Sequence, residues 1–137
     1  MRDIRLDGMR VLVMEDEYLI AMDVEQLCYD HGAVEVVIAR NVQELGPDPL
    51  DGKRFHAAIV DVMLGGHSTL DFASGLIERD IPFVFATGYA HNEGMFDAVA
   101  GVEVISKPYA GKILIEALGR AISRQNAKSQ AAFDPMT

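Results

Sequence analysis

The sequence predicts an α/β domain in which a parallel five-stranded sheet is covered by helices on both faces. Short, nearly continuous apolar runs recur along the chain, as expected for strands that are buried on both faces. Segments with a helical spacing of apolar residues separate these runs, an alternation typical of a doubly wound sheet. The length of 137 residues suits one domain, since a domain takes roughly 150 residues. We therefore expect a single (βα)5 domain.

The elements can be assigned in chain order. The predicted strands span residues 9–14, 33–39, 55–60, 82–86 and 102–105. The predicted helices span residues 17–31, 68–79 and 110–125, with a short helix opened by Asn41 and a weak one over 91–100. Gly32 lies where a C-terminal cap would be, and Ser68 with Asp71 resembles a capping box. Pro47 and Pro49 must end or distort the short helix.

The domain boundaries follow from the same pattern. We expect the folded domain to occupy residues 1–127, with its core within 8–125. The tail at 128–137 has no apolar period, so we expect it to be disordered. We therefore expect no separate output domain after residue 128.

The composition limits the possible partners. Twelve Lys and Arg against 21 Asp and Glu give a net charge of −9, which nucleic acid and anionic membranes would repel. No run approaches the ~20 apolar residues of a membrane span, and the acidic N-terminal region is unlike a signal peptide. The single Cys28 excludes an intramolecular disulfide. We expect a cytoplasmic protein that binds neither nucleic acid nor membrane.

Polar residues follow four of the five predicted strands. Glu15, Asp16 and Glu17 follow the first, Asp61 the third, Thr87 the fourth and Lys107 the fifth. Because parallel strands end at the same edge of a sheet, we expect these side chains to converge. Clustered carboxylates repel one another unless they share a cation, and Mg²⁺ prefers such oxygen ligands. The sequence therefore predicts a magnesium site at this edge.

Four stretches together resemble the receiver domain of two-component response regulators. They are VLVMEDE at 11–17, IVDVM at 59–63, ATG at 86–88 and SKP at 106–108. The stretch PFVFATGY at 82–89 further resembles the FAT GUY subgroup of receivers. The resemblance covers about residues 8–125. It implies the flavodoxin-like fold of a CheY-like, single-domain response regulator.

This resemblance also implies a mechanism. Asp61 would accept a phosphoryl group from a sensor histidine kinase, of the HWE or a related type, or from a phosphotransfer protein. Lys107 and Thr87 would contact the phosphoryl oxygens, and the peptide bond after Lys107 is cis in the family. The signal would pass to a downstream protein by contact. The chain would then be no enzyme beyond its own phosphorylation and dephosphorylation.

The implied metal ligands are specific residues. Asp16 and Asp61 would bind Mg²⁺ directly, together with the backbone carbonyl of Met63. Glu15 replaces the more usual Asp and is one methylene longer, so direct and water-mediated contact both remain open.

One position departs from the family pattern. Most receivers carry Tyr or Phe three residues before the lysine, where this chain has Val104. Valine is too small to act as the rotating aromatic switch of those proteins. The FAT GUY subgroup also lacks this aromatic residue. We therefore expect the segment 89–101 to change order on activation.

Three alternatives compete with a phosphorylated receiver. A pseudo-receiver that only binds a partner protein would share the fold, although intact Asp61, Thr87 and Lys107 argue against it. A haloacid-dehalogenase-type phosphatase needs a second acid two residues after its nucleophile, where this chain has Met63. A flavin or nucleotide binder is disfavoured because the acids after the first strand would repel phosphate.

Overall fold

The computed structural model describes residues 5–51, 54–88 and 101–132. The described strands are β1 (Arg10–Met14), β2 (Glu35–Ala39), β3 (Ala57–Asp61), β4 (Met63–Leu64), β5 (His67–Ser68), β6 (Phe83–Thr87) and β7 (Val104–Ser106). The helices are α1 (Tyr18–Asp30), α2 (Leu70–Glu78) and α3 (Gly111–Ala132), with a 3₁₀ helix at Val42–Leu45. The predicted helix at 91–100 lies outside the described residues, as does the switch segment apart from Gly101.

Five strands form a parallel sheet in the order β2-β1-β3-β6-β7. The chain runs outward from β1 to β2, returns to pair β3 on the other side of β1, and then continues outward through β6 and β7. This reversal opens a crevice at the carboxyl ends of β1 and β3, where ligands bind in sheets of this kind. The predicted flavodoxin-like fold class is confirmed.

Two apolar layers cover the faces of the sheet, because successive strand residues point to opposite sides. Val11 and Val13 of β1 pack in one layer with residues of α1 and α3, including Leu114. Leu12 of β1 packs in the other layer with Leu76 of α2. All these side chains are fully buried. Burial on both faces explains why the strands appear in the sequence as continuous apolar runs.

Helix ends follow local signals in the first half of the chain. Gly32, with φ of +100°, follows α1 and adopts the left-handed conformation expected of a C-terminal cap. The helix opened by Asn41 is a single 3₁₀ turn, in which the Asn41 side chain accepts a hydrogen bond from the amide of Glu44 at 3.0 Å. The predicted cap is present, and the helix is short because Gly46 ends it.

Helix α3 continues beyond the predicted end of the domain. Its backbone is helical to Ala132, so residues 128–132 are not the irregular tail that the sequence predicts. The physical reason is helix propensity, since this stretch is rich in Ala, Lys and Gln and contains no Gly or Pro. Residues 133–137 lie outside the described part.

A hairpin that the apolar pattern does not predict connects β3 to α2. Strands β4 and β5 pair antiparallel, and Gly65 and Gly66 form the turn with φ of +59° and +83°. Two successive positive φ angles are typical of a type I′ turn, which favours glycine.

In the described residues, no helix has both the length and the apolar content needed to cross a membrane.

Candidate functional site

Most of the polar residues predicted to converge lie together at the carboxyl edge of the sheet. Glu15 and Asp16 follow β1, and Asp61 is the last residue of β3. Carboxylate oxygens of these three residues all lie within 4.8 Å of one another. Thr87 ends β6, and its carbonyl accepts a hydrogen bond from the amide of Lys107 at 2.8 Å. The sheet topology therefore places the three acids and Lys107 at one site, with Thr87 at the adjoining strand end. Glu17 contributes its backbone amide, which donates to Glu15.

Lys107 bridges two of the carboxylates. Its Nζ donates to Oδ2 of Asp61 at 2.8 Å and to Oε1 of Glu15 at 2.5 Å. Burial by itself would lower the pKa of Lys107, but the hydrogen bonds to Asp61 and Glu15 outweigh it and raise that pKa above its ordinary value. Lys107 is therefore a fixed cation between two acids. The peptide bond from Lys107 to Pro108 is cis, as the family resemblance implies.

Glu15 is held by contacts at both of its oxygens. Its side chain is buried, Oε1 accepts from Lys107, and Oε2 accepts from the amide of Glu17 at 3.1 Å. Burial raises the pKa of the Glu15 carboxyl, although the bonds from Lys107 and from the Glu17 amide oppose this shift. Glu15 is therefore fixed between Lys107 and the backbone that leads into α1.

Asp61 and Asp16 differ in their exposure. Asp61 is buried, and its Oδ1 accepts a hydrogen bond from the amide of Met63 at 3.2 Å. Asp16 is exposed, and its Oδ2 accepts from the amide of Gly65 at 3.0 Å. The site is thus closed on the lysine side and open to solvent at Asp16, where the turn of the β4–β5 hairpin borders it.

Two residues that the sequence did not predict as site residues contribute to the site. Gly65 contacts Asp16 through its amide. Thr69 is 1% exposed, and its hydroxyl donates to the carbonyl of Asp61 at 2.6 Å. A threonine before a helix normally indicates only a cap, so no pattern in one sequence distinguishes this role.

Val104, the position that departs from the family, lies in β7 opposite Phe85. Its side chain is half-buried and packs against the apolar layer that contains Leu12 and Leu76. Valine here is a packing residue at the edge of the sheet.

The donor set suits a hard divalent cation. The three carboxylates offer oxygen ligands from two strand ends within one small volume. Mg²⁺ takes such ligands and keeps several of its waters, for which the exposed side at Asp16 leaves room. The residues present therefore fit a magnesium ion.

Comparisons with known proteins point to one group. No protein-family model matches the chain. The phyllosphere-induced regulator PhyR of Methylorubrum extorquens is 28% identical over 127 residues, covering 90% of this chain and 48% of that protein. The chain thus spans about half the length of the curated relative that it matches.

Two solved structures extend this comparison. A double mutant of the anti-anti-sigma factor PhyR from Bartonella quintana is 25% identical, with a TM-score of 0.71 and coverage of 91% of this chain and 53% of that one. A CheY-like response regulator receiver domain from Methanospirillum hungatei is 24% identical, with a TM-score of 0.75 and coverage of 89% and 99%. The homologues and structural neighbours of this chain are therefore response regulator receiver domains, and the chain has their fold.

Proposed function

We propose that the chain is a phosphate-accepting receiver of a two-component system, which takes a phosphoryl group on Asp61 and signals by protein contact. One observation carries this proposal. Asp61 ends a buried strand with one carboxylate oxygen 2.8 Å from the Lys107 ammonium and two further carboxylates within 4.8 Å. A nucleophile, a cation and a set of acidic metal ligands are the groups that phosphoryl transfer to a carboxylate requires.

Asp61 would be the nucleophile. Its carboxylate oxygen would attack the phosphorus of a phosphohistidine, forming an O–P bond while the P–N bond breaks. The electron pair of the P–N bond returns to the imidazole of the donor, and an acyl phosphate remains on Asp61. Burial of Asp61 limits the competing access of water to the reacting oxygen.

Lys107 and Thr87 would bind the transferred group. The raised pKa of Lys107 keeps the ammonium charged throughout the physiological range. Since Lys107 already contacts both Asp61 and Glu15, it can exchange its bond to Asp61 for one to a phosphoryl oxygen while Glu15 retains it. Thr87 lies beside it at the end of β6 and would donate its hydroxyl to another phosphoryl oxygen.

Magnesium would be held by Glu15, Asp16, Asp61 and the backbone carbonyl of Met63. When bound, the ion would supply charge neutralisation at the phosphoryl oxygens. Asp16 is exposed to solvent, and a carboxylate oxygen of Asp61 lies within 4.8 Å of one of Asp16. Glu15 has both oxygens in contact with Lys107 and the Glu17 amide, which favours water-mediated contact with the ion.

The likeness to response regulators also suggests partners for this chain. A sensor histidine kinase, of the HWE or a related type, or a phosphotransfer protein would be the donor in the cytoplasm. The likeness to an anti-anti-sigma factor makes an anti-sigma factor the first downstream partner to test.

Labelling with a small phosphodonor tests the proposal. The protein is incubated with acetyl phosphate and Mg²⁺, and its intact mass is measured. We expect one added phosphoryl group on the wild type and on Asp71→Asn, an exposed acid of α2, and none on Asp61→Asn.

Other outcomes would favour the alternatives. Equal labelling of Asp61→Asn would contradict the acceptor assignment. A wild type that takes up no phosphate would support the pseudo-receiver, and sustained release of phosphate from a phosphomonoester would support the phosphatase.

A further inference from the structure

Thr69 occupies the N-cap position of α2 but does not cap the helix. No backbone amide of α2 donates to its side chain, whereas an N-cap threonine normally accepts such a bond. Its hydroxyl instead donates backwards, to the carbonyl of Asp61 at 2.6 Å, and lies 3.1 Å from the carbonyl of Val62. Its amide also donates to the Val62 carbonyl at 2.9 Å. Thr69 therefore ties the start of α2 to the end of β3.

These bonds close the segment 61–69 into a loop that touches two of the three acids of the site, Asp61 and Asp16. At the base of the loop, Thr69 contacts Asp61. Within it, the amide of Met63 donates to the Asp61 carboxylate at 3.2 Å. At its tip, the amide of Gly65 donates to the Asp16 carboxylate at 3.0 Å. The loop thus extends from the buried Asp61 to the exposed Asp16.

We propose that Thr69 is a positioning residue for this site: its hydroxyl closes the 61–69 loop and thereby holds Met63 and Gly65 against Asp61 and Asp16. The inference rests on the proposed function, because it concerns the same phosphoryl and metal site. Thr69 acts through the Asp61 backbone and through the loop, and its side chain contacts neither carboxylate in the bonds described.

The physical basis is the cost of an unpaired buried carbonyl. Asp61 is the last residue of β3 and is buried together with Thr69. Without the hydroxyl, the Asp61 carbonyl loses this donor in a place that water barely reaches, which favours opening of the loop base. If the base of the loop opened, the amides of Met63 and Gly65 would lose their hydrogen bonds to Asp61 and Asp16. Supporting contacts of this kind control metal affinity.

Two substitutions separate the hydroxyl from the shape of the side chain. Thr69→Val keeps the branched shape and removes the donor, whereas Thr69→Ser keeps the donor. Mg²⁺ affinity is measured by calorimetry on samples whose folding is checked by circular dichroism. We expect Thr69→Val to bind Mg²⁺ about tenfold more weakly, since loss of supporting contacts costs about 10–100-fold, and Thr69→Ser to stay within about twofold of wild type.

Ser68→Ala serves as the matched control. Ser68 lies beside Thr69, is exposed, and accepts a bond from the amide of Leu70 at the start of α2. This control tests whether a weakened helix start alone changes the Mg²⁺ affinity. We expect no change.

The outcomes distinguish this inference from the proposed function. Wild-type Mg²⁺ affinity in Thr69→Val would overturn the positioning role, and so would an equal loss in Thr69→Ser. Thr69→Ala replaces the valine variant if that protein does not fold. A wild type that neither binds Mg²⁺ nor takes up phosphate would instead overturn the proposed function.

Discussion

Replacing Lys107 with methionine removes the positive charge that lies between two buried carboxylates. Methionine has nearly the length and apolar stem of lysine, so the change removes the charge more than the packing. The side chains of Lys107, Glu15 and Asp61 are only 10%, 5% and 8% exposed. Water therefore cannot replace the lost ammonium, and we expect a large destabilisation.

The magnitude can be worked from the two bonds that disappear. Each is a hydrogen bond between charged groups, worth about 1.5–3 kcal/mol. The sum of the two bonds is comparable with the loss of about 3–5 kcal/mol that follows removal of one partner of a buried ion pair. Since domains are stable by about 5–15 kcal/mol, Lys107→Met should lose a substantial part of its free energy of unfolding at pH 7.

This loss should depend on pH. Burial already raises the pKa of the Glu15 carboxyl, and the bond to Lys107 opposes that shift, so removing the lysine should raise the pKa further. A carboxyl with a raised pKa contributes stability below its ordinary value of 4.5. That contribution is lost as the pH rises through the folded-state pKa. The deficit of Lys107→Met should therefore be smaller at pH 5 than at pH 7.

Urea unfolding followed by circular dichroism, with a chelator present, measures this effect. Lys112→Met is the control, since Lys112 is exposed on α3 and should change the stability by less than about 0.5 kcal/mol. If Lys107→Met lost no more free energy of unfolding than this control at pH 7, the reasoning would be refuted. An equal deficit at pH 5 and pH 7 would refute the part assigned to Glu15.

Three other predictions test the core, the thiol and the site. Leu76→Ala should lower the free energy of unfolding by about 2–5 kcal/mol. Ile77 lies on the same helix but is half-exposed, so Ile77→Ala should lower the free energy of unfolding by less. Equal losses in the two variants would contradict the assignment of Leu76 to the buried layer. Burial raises the pKa of the Cys28 thiol to about 12, so alkylation at pH 8 should require unfolding by urea, and fast reaction of the native protein would count against this. Met63 packs against an apolar layer and cannot orient water, so Met63→Asn should release phosphate from Asp61 faster after the donor is removed, and an unchanged lifetime would contradict that reason.

Much of the fold was predictable because burial leaves a direct trace in the sequence. Strands covered on both faces must be apolar throughout, as Val11 to Met14 show, and the helices between them keep one apolar face. The rule that ligands bind at the carboxyl ends of parallel strands then located Glu15, Asp61 and Lys107 at one edge. The hairpin after β3 was not predictable, since strands of two residues are too short for any period.

The sequence by itself determined the five strands of the parallel sheet and the acids and lysine that meet at its edge, because hydrophobic burial and strand order depend on residue type and position along the chain. Only the tertiary structure decided how those groups are paired. Lys107 lies 92 positions from Glu15, and the direction of the Thr69 hydroxyl depends on where β3 and α2 meet. Hydrogen bonds between distant segments depend on distances of a few tenths of an ångström, which arise from the packing of whole elements and leave no local pattern in the sequence.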